Sequence, residues 1–96
     1  MSENSPTTKT FQQRADEFIA VANQQAAESS VEDVNTSVLY SAARFNAFSV
    51  ARSVESAEKL QAEKQHAIEY FTQRYAEMFA QNLDEYISRF ESYTQK

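Results

Sequence analysis

Few side chains in this chain have a type and spacing suited to chemistry. Glu63-Lys64-Gln65-His66 has the E-x-x-H spacing that carboxylate-bridged di-metal bundles carry on a helix. Such a centre needs two copies of the motif and two further glutamates, and His66 is the only histidine. At helical spacing Glu63 and His66 also point away from the apolar stripe of their segment, whereas metal ligands point inward. The pair therefore reads as a solvated polar face, and no metal or other cofactor is expected. Serines are numerous, but without glycine no G-x-S-x-G nucleophile elbow exists. No catalytic residue is assigned, and the chain is expected not to be an enzyme.

The block Leu39-Tyr40-Ser41-Ala42-Ala43-Arg44-Phe45-Asn46-Ala47-Phe48 holds the candidate ligand-binding residues Tyr40, Arg44 and Asn46. On a helical wheel Asn46 falls in the middle of a broad apolar side, between Ala42, Leu39 and Val50. A buried amide must be hydrogen-bonded, so its expected task is a bond that fixes helix register. Tyr40, Arg44 and Phe48 lie on the opposite side at i, i+4 and i+8, where side chains stack along one line. An arginine there can lie between two rings as a cation–π partner and pair with a carboxylate such as Asp16 or Glu69. Asn46 and Arg44 thus face opposite ways, which works against a shared pocket in one subunit.

The elements that carry these residues are helical. Glycine is absent and Pro6 is the only proline, which argues against hairpins and tight turns needing positive φ. A first helix is predicted from about Thr10 to Glu28, capped by Thr10 or Thr8, its apolar arc formed by Phe11, Ala15, Phe18, Ile19, Ala22 and Ala26. Ser29 to Asp33 is predicted as a short connection with capping residues. A second helix is predicted from about Val34 to Arg52, and Ser53 or Ser56 is expected to cap a third.

The last segment, about Ala57 to Tyr93, carries Leu60, Ala67, Ile68, Phe71, Tyr75, Met78 and Phe79 on one stripe. Leu83, Tyr86, Ile87 and Phe90 continue it with a rotation at helical periodicity. Asn82-Leu83-Asp84-Glu85 has the spacing of a helix start. One long helix and a break near Asn82 that creates a fourth helix are both compatible with this pattern. Aromatics favour interfaces, and the candidate interface residues are Tyr70, Tyr86, Phe90 and Tyr93. A last segment longer than its neighbours leaves apolar surface for a fold-back or a second subunit to cover.

Composition sets the outer bounds. Ninety-six residues suit one domain, expected over 10–96 behind a disordered tail at 1–9. The formal charge of −5 is spread along the chain, with no Lys/Arg stripe of the kind a nucleic-acid backbone requires. Nucleic acid and membrane are not expected as partners. No cysteine is present, there is no apolar leader near the start, and no run is long enough to span a bilayer. A cytoplasmic protein is the expectation.

With these residues identified, the chain resembles a bacterial family of small proteins designated domain of unknown function 3144. The resemblance rests on Phe11 through Asn23 (F-x-x-R-A-D-x-F-I-x-x-A-N) and Leu39 through Phe48 (L-Y-x-A-A-R-F-N-A-F). Ala67-Ile68-Glu69-Tyr70-Phe71-Thr72 and Asn82-Leu83-Asp84-Glu85-Tyr86-Ile87 complete it. It implies a small, soluble, helical bacterial protein and brings no activity, cofactor or functional residue with it.

The expected fold is all-α: a compact bundle of three helices, or four if the chain breaks near Asn82, with a long last segment. The expected function is a non-enzymatic structural or protein-interaction module that self-associates through the third segment. The alternative is a small-ligand or regulatory module using Tyr40, Arg44 and Asn46.

Overall fold

Hydroxyl side chains decide where the helices begin. In the computed structural model, which describes residues 8–90 and 92, Thr10 opens the first helix, α1 (Phe11–Glu28). Its hydroxyl accepts the Gln13 N–H at 3.1 Å, and the Gln13 side chain accepts the Thr10 N–H at 2.8 Å. This reciprocal capping box satisfies two donors that a helix start leaves unpaired.

The second helix, α2 (Val31–Arg52), starts three residues earlier than the apolar pattern predicts. Ser30 is the reason. Its hydroxyl accepts the Asp33 N–H at 3.0 Å, and its carbonyl accepts the Val34 N–H at 3.1 Å. Glu32 and Asp33 then fall in the first turn, where carboxylates suit the positive end of the helix dipole. The connection shrinks to Ser29 and Ser30. Ser29 sits at φ −141° and ψ −133°, and no described residue has positive φ, so this junction forms without glycine.

At the end of α2 the chain tightens. The Ser53 N–H and hydroxyl both donate to the Val50 carbonyl, at 3.0 and 2.7 Å. Ser56 then caps the third helix, α3 (Ala57–Ser88), by accepting the Lys59 N–H at 3.1 Å. The ion pair between Lys59 and Glu55 at 2.8 Å and that between Arg89 and Glu85 at 3.2 Å are both i to i+4. Both are exposed, so each adds only a few tenths of a kcal/mol.

Three α-helices and no strand are present among the described residues. The break considered near Asn82 does not occur, because α3 runs unbroken through Gln81–Asp84. Asn82 does not cap the turn that follows it. Its side-chain amide donates back to the Met78 carbonyl at 2.8 Å, and Asp84 and Glu85 are helix-interior residues. Of the expected tail, Thr8 and Lys9 are described, and the Lys9 ammonium pairs with Glu17. Residues 1–7 lie outside the described ones.

By packing the chain divides into two units, Met1–Phe48 and Ser49–Lys96, with the boundary inside α2. In the first, Ala15, Ala22, Ala26, Ser30, Val34 and Asn46 are half-buried. In the second, Val50, Val54, Leu60, Ala67 and Phe71 are half-buried, on both sides of the Ser53–Ser56 turn. No described residue is fully buried. On α2, Val38, Leu39, Tyr40, Phe45 and Phe48 are exposed. The first unit holds α1 and most of α2, the second the last turn of α2 and α3, and so few helices cannot enclose a side chain on every side.

Candidate functional site

The C-terminal half of α3 holds the longest run of exposed apolar side chains. Tyr75, Met78, Phe79, Leu83 and Tyr86 recur at intervals of three, four and seven, which places them along one side of the helix. Ile87 and Phe90 border that side. Exposure ranges from 45% at Leu83 to 69% at Ile87. The two rings at the start of the run are ordered against each other: Tyr75 and Phe79 stack with centroids 5.6 Å apart and planes inclined by 28°. Asn82 lies within this side, its amide turned back onto Met78.

Of the expected interface residues, Tyr86 and Phe90 belong to this surface, and both are exposed. Tyr93 lies outside the described residues. Tyr70 is exposed on a different side of α3, where it meets Phe71 edge-on at 5.1 Å and 87°. It borders an open groove with Gln73, Arg74 and Glu77, and the Gln73 amide donates to the Glu77 carboxylate at 3.2 Å. The groove's walls are surface side chains of a single helix, with no enclosing element among them.

The candidate ligand residues do not converge. Tyr40 and Arg44 are exposed along one line of α2, while Asn46 is half-buried and already has a partner. Phe48 meets Phe45, with centroids 6.3 Å apart and planes inclined by 45°. Asp16, one carboxylate considered for Arg44, accepts the Gln12 amide at 2.8 Å.

Glu63 and His66 approach each other at 3.9 Å, and both are exposed. Two side chains do not make a metal centre, and no cluster of three or more His, Cys, Asp or Glu residues with suitable geometry is found among the described residues. No described helix is long and apolar enough to cross a membrane.

The family model of proteins of unknown function DUF3144 matches residues 11–87, and the chain belongs to that family. The match takes in α1, α2 and nearly all of α3. The chain is also similar to the protein NB7890A from Shewanella sp., whose structure was solved by NMR. The identity is 38%, the alignment covers 99% of this chain and 100% of that one, and the TM-score is 0.76. No curated protein matches the chain.

Proposed function

We propose that this protein is a non-enzymatic helical module that acts through protein–protein contact and associates with itself through the C-terminal half of α3. The observation that supports this reading is the exposed apolar run from Tyr75 to Phe90. Water around such a surface is released when a partner covers it, at roughly 25 cal/mol per Å². Large contiguous apolar patches on a small protein mark interaction sites. Tyrosine and phenylalanine at its centre are the residue types that dominate interface energetics.

Charge and cysteine content support the rest of the reading. With a formal charge of −5 and no basic stripe, nucleic acid and anionic membrane are not its partners. A cysteine-free helical chain suits a reducing compartment, and the cytoplasm of a bacterium is the proposed location. The ligand-binding alternative is less well supported, because Tyr40 and Arg44 face away from Asn46.

Sedimentation equilibrium of the full chain across micromolar concentrations tests the proposal. A mass above 11.0 kDa that falls on dilution is expected. A single species at the monomer mass throughout would overturn self-association.

A further inference from the structure

We infer that two copies of α3 pair antiparallel, with the two-fold axis passing at Asn82. The inference rests on the self-association reading and adds its orientation and register. The exposed run extends from Tyr75 to Phe90, so Asn82 is at its midpoint. A two-fold axis across antiparallel helices brings residues equally spaced before and after the axis opposite one another. Met78, four residues before Asn82, then meets Tyr86, four residues after it. Tyr75, seven before, meets Arg89, seven after.

Both pairings are chemically matched. A thioether against an aromatic ring is a favourable contact, and so is a guanidinium over a tyrosine face. The Arg89 guanidinium pairs with Glu85 through its edge, at 3.2 Å, and a planar guanidinium can stack while paired. A parallel pair in the same register would instead set Arg89 beside Arg89, at a repulsive cost. The exposed apolar surface of the run is on the order of 700 Å² per copy, since each aromatic side chain contributes up to about 200 Å² when fully exposed. Two copies would bury at most on the order of 1,400 Å², and stable specific interfaces begin near about 1,200 Å².

Asn82 explains why the register is unique. Covering the run removes water from its amide, which then needs partners. One N–H already donates to Met78. The remaining N–H and the carbonyl oxygen form a donor–acceptor set that a second Asn82 complements across the axis. A lone asparagine in an apolar helix seam fixes register and orientation at a cost in affinity.

Because the chain has no cysteine, introduced thiols report on one contact at a time. Full-length Met78→Cys and Tyr86→Cys chains, mixed in equal amounts and oxidised, are expected to form the mixed disulfide above its random share. Excess of the two like disulfides overturns the antiparallel register while leaving self-association standing. A monomer by sedimentation of the unsubstituted chain overturns the underlying reading. Asn82→Leu, which keeps the helix, is expected to tighten association by about tenfold and to abolish the preference for the mixed disulfide. Unchanged association and unchanged preference would remove Asn82 from the axis.

Discussion

Thr10 joins α1 to the chain before it through two hydrogen bonds made with one partner. Its hydroxyl accepts from the Gln13 backbone, and its N–H donates to the Gln13 side chain. Thr10→Ala removes the first bond and weakens the second, so a loss of about 1 kcal/mol in unfolding free energy is expected. Chemical denaturation followed by far-UV circular dichroism measures it. Ser56→Ala should cost a similar amount at α3, by loss of the acceptor for the Lys59 N–H. The two losses should add, since the residues lie in different units. Side chains of this kind were readable in advance. Thr10 and Ser56 stand where an apolar period begins, and a hydroxyl there has a clear task. Arg44 was not readable in the same way. Spacing puts it in line with Tyr40 and Phe48, but it does not say that Phe48 turns to Phe45.

At the scale of the element, α3 decides the character of the protein. Thirty-two residues at about 1.5 Å each make a rod of about 48 Å. Its continuity through Asn82 has a direct test. Proline is accepted at the first position of a helix and costs about 3 kcal/mol in a helix interior. Leu83→Pro would be tolerated if Asn82 capped a fourth helix. With α3 unbroken it should lower stability by about 3 kcal/mol and reduce helicity, as thermal melting by circular dichroism would show. The sequence left this point open because Asn82-Leu83-Asp84-Glu85 fits both readings. A cap and a helix-interior asparagine differ in which carbonyl or N–H the side chain meets, and Asn82 meets Met78. The start of α2 shows the same limit. The apolar period begins at Val34, while the Ser30 hydroxyl starts the helix earlier.

The proposed self-association would link association and stability at the scale of the whole molecule. No described side chain is fully buried within the chain, and in proteins most helical stability comes from packing of an apolar face rather than from helix propensity. On the proposed self-association, part of the folding free energy comes from surface covered by the second copy. The melting temperature is accordingly expected to rise with protein concentration, by several degrees between 1 µM and 100 µM as a rough estimate for a domain of this size. Differential scanning calorimetry over that range checks it. Phe79→Glu should remove the dependence, because it places a charge in the middle of the exposed run beside Tyr75. Fold class was legible from the absence of glycine and from helical periodicity. The degree of burial was not, since a wheel shows which side of a helix is apolar but not what lies against it.

The capping bonds of Thr10, Ser30 and Ser56 and the flanking ion pairs of Lys59 and Arg89 all close within four residues. Such contacts need no distant part of the chain to arrive first, so loop-closure entropy hardly slows them. Helix formation should therefore finish within about a microsecond of a temperature jump. A separate, slower phase should follow, with a rate that scales with protein concentration. The protein would reach its secondary structure alone and its lasting stability only by encounter.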